Sequence, residues 1–185
     1  HAAETPILVV SKATNGIISE LKKTAPKERN EAMVRNLVET YILPAIDQEK
    51  IAMGALGKYW RRATVEERSR FIVIFRERQL RTYQGAFKAF SGETLNFEDT
   101  QFSPDGSRAI VKGEFTQDSG NKVPVDFRLF QDKKTGEWRV YDAVISGLSM
   151  VKTYRTQLSE RLQNISIAQL LDELENEPVE PIATR

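Results

Sequence analysis

The chain of 185 residues contains no cysteine, and its one histidine is His1. The first absence removes disulfides, thiol nucleophiles and thiolate metal sites. The second leaves no interior imidazole to ligate zinc or to act as a base near neutral pH. Any acid–base chemistry would have to rest on carboxylates, lysine or tyrosine. A charge excess of one sign is missing too. The net charge is +1, so no global field points to nucleic acid or to an anionic membrane surface. Long apolar runs are also absent. The longest, Phe71 to Phe75, falls far short of the roughly 20 residues that a membrane-crossing helix needs. No signal peptide is recognisable, and composition leaves open both a cytoplasmic protein and the mature form of an exported one.

What is present is a composition of 40% hydrophobic and 29% charged residues, which is that of a soluble globular protein. The length suits one domain whose core needs no covalent staple. The first half repeats with helical period. Residues 5–21 place Ile7, Leu8, Val10, Ile17, Ile18 and Leu21 at helical spacing, with Asn15-Gly16 as a weak point. After Pro26, residues 27–42 put Met33, Leu37, Val38 and Tyr41 on one stripe. Pro44 interrupts, and Asp47 can cap a short helix to Leu56. Thr64 followed by Glu67 is a capping box that opens a helix reaching Phe90. Phe71, Phe75, Arg78 and Thr82 form one line along it. Ile72, Leu80, Tyr83 and Phe87 form a second stripe, so this helix is expected to be buried on more than one side.

The second half repeats in twos. Residues 94–102, 108–117, 122–131 and 137–146 alternate, separated by the turn sequences "SPDG", "DSGN" and "DKKTG". Short turns predict an antiparallel meander. Ala109, Val111, Gly113 and Phe115 face one way on the second strand, as do Val123, Val125, Phe127 and Leu129 on the third. Lys112, Glu114, Asp126 and Arg128 face the other way. The fourth strand is apolar on both faces, with Trp138, Val140 and Val144 on one and Tyr141, Ala143 and Ile145 on the other. One face is expected to meet the interior and the other a helix. A helix over Met150–Leu162 follows. Ser166 with Gln169, a second capping box, starts the last helix, which carries Leu170, Leu171 and Leu174. The pattern predicts an α+β domain over 4–177. N-terminal and C-terminal helices pack on a curved four-stranded antiparallel meander, cone-like. The proline-bearing tail, 178–185, is expected to be disordered.

Two separated segments resemble the MlaC family, which is also known as the toluene-tolerance auxiliary family. In "WRVYDAVISGLSMVKTYRTQL", Trp138, Val140, Tyr141, Asp142, Ile145, Gly147, Ser149, Val151, Tyr154 and Arg155 fit the family's strand-then-helix signature. In "LGKYWRRATVEERSRFIVIFRERQLRTY", Leu56, Gly57, Trp60, Arg61, Ala63, Thr64, Phe71, Phe75 and Tyr83 fit an upstream motif. The resemblance covers residues 5–175. It departs at "QNIS", where the family usually has glycine-rich spacing. It implies a cone similar to that of nuclear transport factor two, with an apolar cavity, and no covalent chemistry. It implies a periplasmic monomer that carries diacyl phospholipid, with no other cofactor and no nucleic acid. The implied partners are an outer-membrane lipoprotein–porin complex and an inner-membrane ABC transporter with its ring of lipid-binding domains. The implied role is to maintain outer-membrane lipid asymmetry.

A carrier must offer lipid tails surroundings as dry as a bilayer. At about 0.8 kcal/mol per methylene, two tails of about fifteen methylenes represent on the order of 24 kcal/mol. Candidates to line such a cavity are Phe71, Phe75, Tyr83, Phe87, Val111, Phe115, Val125, Phe127, Val140, Val144, Val151 and Tyr154. Any one of them serves equally well as plain core. Arg78, Arg81 and Arg155 are candidates to meet a lipid phosphate. Two rival readings stand beside the carrier. Asp142, placed with Val140 and Val144 on one face, would be the base of an isomerase-like or hydrolase-like enzyme built on the same cone. A third possibility is an interaction module with a filled core. Gly147, in "ISGLSMV", is either a hinge on which the next helix swings to admit lipid or a plain turn.

Overall fold

The structure, a computed structural model, describes residues 3–179. The end of the expected tail, 180–185, lies outside the described residues. Helix α1 spans Pro6–Lys22. The Thr5 hydroxyl accepts a bond from the Leu8 N–H, and Pro6 sits in the first turn, where its missing donor costs nothing. Gly16 proves to be a seat for Tyr41. A Cβ at position 16 would overlap the Tyr41 ring, so only glycine admits the aromatic at this depth.

The helix expected over 27–42 is broken into pieces. A 3-10 turn at Pro26–Glu28 precedes α2, Glu31–Leu37, which Asn30 caps. A π-helical turn, Val38–Ile42, and a 3-10 turn, Leu43–Ala45, complete it. Pro44 is the physical reason. It lacks the N–H that would continue the ladder, and its ring crowds the carbonyl four residues back, so the last turns change pitch. Helix α3 (Gln48–Leu56) starts on Asp47, as expected. The short α4 (Tyr59–Arg62) leads into α5, Val65–Ala89, whose capping box forms in both directions.

Strands β1 (Thr94–Phe102), β2 (Arg108–Thr116), β3 (Lys122–Gln131) and β4 (Trp138–Ile145) follow the meander. A fifth strand, β5 (Leu148–Ser149), adds a two-residue edge, so the order is β1-β2-β3-β4-β5. Ser146 and Gly147 between β4 and β5 have φ of 50° and 82°, the signature of a primed hairpin turn. Helices α6 (Met150–Leu162) and α7 (Ile167–Asn176) close the fold; α7 starts on the Ser166 capping box read from the sequence, and α6 on a cap from Ser149. The α+β architecture is as predicted.

One expectation about β4 fails. Leu129 pairs with Val140, but Arg128 pairs with Asp142, which leaves Tyr141 as an extra residue. This bulge reverses the alternation beyond it. Val140 lies on the face that α1 covers, called inner below. Asp142 and Val144 lie on the outer face with Arg128 and Asp126. Ala143 and Ile145, paired with Phe127 and Val125, turn inward. Simple alternation therefore assigns the wrong face to Asp142 and Val144. Coverage of β4 on both faces does hold. Helix α1 packs on the inner face, and the starts of α3 and α6 reach the strand from the other side.

The buried residues form three separate clusters. The first is all helical, joining Leu56, Trp60, Phe71, Leu158, Leu170 and Leu171 across α3–α7. The second joins Val10 of α1 to Val111, Leu129, Trp138 and Val140 of the sheet. The third joins Leu21 of α1 and Val34 and Leu37 of α2 to Leu80 and Phe87 of α5.

Candidate functional site

The three clusters share one feature. None of them contains both a residue of α5 and a residue of the sheet. Helix α5 packs on α2, α3 and α7, whereas the helix laid on the sheet is α1. Only the first half of α1 lies there, over Ala109, Val111, Leu129 and Val140. Its last turns leave the sheet for α2 and α5. The other half of the inner face, with Phe115, Val123, Val125, Ala143 and Ile145, belongs to none of the clusters. Its apolar side chains are half-buried. Phe97 and Phe127, with ring centroids 6.2 Å apart, mark the border. The Phe97 ring lies over Gly113, where a Cβ would come 3.2 Å from it.

Helix α5 answers with an aromatic ridge at four-residue spacing: Phe71, Phe75, Gln79, Tyr83 and Phe87. Phe71 stacks on Phe75 at 5.3 Å, and Tyr83 on Phe87 at 6.0 Å. Tyr154 of α6 meets Phe75 edge-on at 5.1 Å and accepts a hydrogen bond from Gln79 Nε2 at 3.0 Å. Burial pushes the Tyr83 phenol up to about 12, with Tyr154 adding to the shift.

The sequence-predicted lining residues therefore divide by environment. Phe75, Tyr83, Phe115, Val125, Phe127 and Tyr154 are half-buried, on the ridge, on the bare sheet half or on α6 against the ridge. Phe71 and Val111, each 0% exposed, are walled in by protein; Val140 is buried in the cluster beneath α1 and Phe87 in the cluster of α1, α2 and α5. Val151 packs on Gly54 of α3. Val144 is on the outer face. Gln79 escaped the sequence reading because an amide does not fit an apolar stripe, yet its spacing of four from both Phe75 and Tyr83 places it in the ridge.

The three arginines part company. Arg78 donates to the carbonyls of Leu174 and Glu177, at 2.9 and 3.1 Å, and so closes the end of α7. Arg155 lies along Gly57 and donates to the Gly54 carbonyl at 3.4 Å. Arg81 is exposed. Arg29, which the sequence did not single out, is 5% exposed and donates to the carbonyls of Leu21, Thr24, Phe87 and Phe90. It ties the ends of α1 and α5 together. Among the described residues no three His, Asp or Glu side chains come together in a metal-holding group.

Asp142 is occupied structurally. Its carboxylate accepts from the Ser149 hydroxyl at 2.5 Å and from the Val151 N–H at 3.1 Å, with Arg128 3.8 Å away. It caps the start of α6 from the outer face. A base acting from the inner face of the sheet would have to stand on the opposite side of β4, so the placement proposed for the enzyme reading is not present. The same contacts bear on Gly147. It forms a hairpin turn, and the helix after it is held at its first turn by Asp142. Further along, α6 is held by the close approach of Val151 to Gly54 of α3 and of Arg155 to Gly57, which caps the end of α3. The two sequence motifs thus touch each other.

Comparison with known proteins identifies the family. The model of the family described as MlaC protein matches residues 11–176. The chain is 26% identical to a toluene tolerance protein of Pseudomonas putida, over 88% of this chain and 75% of that one. It is 23% identical to the intermembrane phospholipid transport system binding protein MlaC of Haemophilus influenzae, over 98% and 86%. Among solved structures it is similar to a phospholipid-binding protein from Ralstonia solanacearum in complex with a phospholipid. There the TM-score is 0.81 and the identity 26%, over 90% of this chain and 94% of that one.

Proposed function

The chain belongs to the MlaC family, and on that premise we propose that it is a periplasmic phospholipid carrier whose lipid tails lie between the α5 ridge and the bare half of the sheet. The observation that carries this reading is the missing core. Apolar side chains stand on α5 and on the sheet, and no buried cluster joins the two. Tails on the order of 24 kcal/mol of hydrophobic free energy need such surfaces. Phe75, Tyr83, Phe115, Val125, Phe127 and Tyr154 are the side chains to touch them. Phe71, Phe87, Val111 and Val140 back the walls. Arg81, exposed near the ridge helix's middle, is the arginine left to meet a phosphate.

The names of the relatives support phospholipid binding and transport between membranes as the activity. No helix of the described residues is long and apolar enough to cross a membrane. The carrier would receive and deliver its load at an outer-membrane lipoprotein–porin complex and at the lipid-binding ring of an inner-membrane ABC transporter, thereby maintaining outer-membrane lipid asymmetry. Covalent chemistry has no part in this. Native mass spectrometry of freshly purified protein, followed by lipid analysis of the extract, tests the reading. The expected result is bound diacyl phospholipid with head groups in the proportions of the host membrane. Protein that emerges lipid-free and takes up none from vesicles would overturn it.

A further inference from the structure

The α5 ridge is made of phenylalanine except at its middle. In the α5 ridge an amide and a phenol, Gln79 and Tyr83, stand between the phenylalanines. Gln79 Nε2 donates to the Tyr154 hydroxyl. That bond uses an acceptor site of Tyr154 and leaves its single O–H proton to point elsewhere. Among the described residues that proton has no acceptor, and the Tyr83 hydroxyl has no partner at all. The one fully enclosed side-chain oxygen or nitrogen without a partner there is Oε1 of Gln48. The Tyr83 hydroxyl is therefore not sealed off completely, although burial dominates its surroundings. Its raised pKa, about 12, keeps it a proton donor at any physiological pH. Two O–H donors without protein acceptors thus stand among the phenylalanines of the ridge, Phe75 beside Tyr154 and Phe87 beside Tyr83. A hydrocarbon chain can satisfy neither, and a phenol left dry is costly.

We propose that the Tyr83 and Tyr154 hydroxyls donate to the two ester carbonyl oxygens of a bound diacyl phospholipid, with Gln79 orienting Tyr154. These residues would form a glycerol-ester subsite that sets how deep the lipid sits. The proposal rests on the carrier reading and adds a polar register to it. It makes recognition depend on the linkage between glycerol and tail, which every diacyl phospholipid shares whatever its head group. Dialkyl lipids, whose ether oxygens are poorer acceptors, should be disfavoured.

Vesicles of equimolar diacyl and dialkyl phosphatidylglycerol with matched chains provide the test. Purified protein is incubated with them, and the captured lipid is weighed by native mass spectrometry. Each neutral hydrogen bond favours the ester by about fivefold, so the native protein should capture diacyl over dialkyl lipid by about 25-fold. Tyr83→Phe or Tyr154→Phe should reduce the preference to about fivefold, and the double variant should approach parity. Equal capture by the native protein, a measurement that needs no variant to fold, would overturn the subsite while leaving the carrier standing. So would a preference that survives the double variant. Capture of neither lipid would overturn the carrier reading and the subsite with it.

Discussion

The contact between α3 and α6 makes a prediction whose sign depends on the background in which it is measured. Gly54 lies inside α3, where alanine is worth about 0.8–1.0 kcal/mol more than glycine. A Cβ added there would stand 2.5 Å from Cγ1 of Val151, against roughly 3.5–4.0 Å for a relaxed carbon pair. Valine is branched and stiff in a helix, so it cannot swing aside at little cost. Overpacking of this kind costs about 1–3 kcal/mol. Gly54→Ala should therefore be neutral to destabilising by up to about 2 kcal/mol in the native background. In a Val151→Ala background the offending methyl is gone. The new Cβ then lies 3.9 Å from the Cβ at position 151, an ordinary contact. There the same substitution should stabilise by about 1 kcal/mol. Urea unfolding of the four proteins in this cycle measures it, with a coupling of about 1–3 kcal/mol expected at constant m. If Gly54→Ala stabilised equally in both backgrounds, within about 0.5 kcal/mol, α3 and α6 would not be in contact and the clamp on α6 would be refuted.

Other devices are open to the same treatment. Asp142→Asn removes a charge that accepts from Ser149 and Val151, and should cost about 2–3 kcal/mol in urea titrations; a loss below about 0.5 kcal/mol would count against its capping role. Arg29→Met strands the carbonyls of Leu21, Thr24, Phe87 and Phe90. It should cost at least about 3 kcal/mol, seen in thermal melts as a Tm lower by about 6–12 °C. Gly16→Ala gains helix propensity but displaces Tyr41, so it should destabilise by about 1 kcal/mol. Following tyrosinate absorbance with pH should reveal a late step near 12 that Tyr83→Phe abolishes. Because the folded pKa lies above the ordinary value of 10, stability tied to the neutral phenol is present below about pH 10 and is lost as pH rises through about 12.

The elements were legible because their signals are local. Capping boxes at Thr64 and Ser166, the turn sequences of the meander and the start of α6 at Ser149 each depend on a few adjacent residues. The bulge at Tyr141 was not legible. An alternating strand with one extra residue reads as alternation until the partner's register is known, and the faces of Asp142 and Val144 turned on that residue. Close approaches were hidden for a similar reason. Gly16 reads as a flaw in α1 until Tyr41, twenty-five positions away in sequence, is seen against it. The candidate lining was half legible. Apolar periodicity identifies Phe71 and Phe75 alike, and only packing tells that one is enclosed and the other half-open.

That division between enclosed and half-open residues bears on how a carrier could hold a load without depending on it. If the tails completed the only core, release would amount to unfolding, and the empty protein could not return for a second load. Here each of the three clusters is closed by protein. Arg29 joins the ends of α1 and α5, Asp142 and the Gly54 contact fix α6, and Tyr41 seats on α1. Bound lipid then adds stability only in proportion to its affinity and concentration. A change in the spacing between α5 and the sheet has to be taken up elsewhere. Helix α1 is the helix with buried residues in both the sheet cluster and the α5 cluster, Val10 in one and Leu21 in the other. The stretch of α1 between them, with Gly16 under the Tyr41 ring, is the continuous helix that links the two clusters.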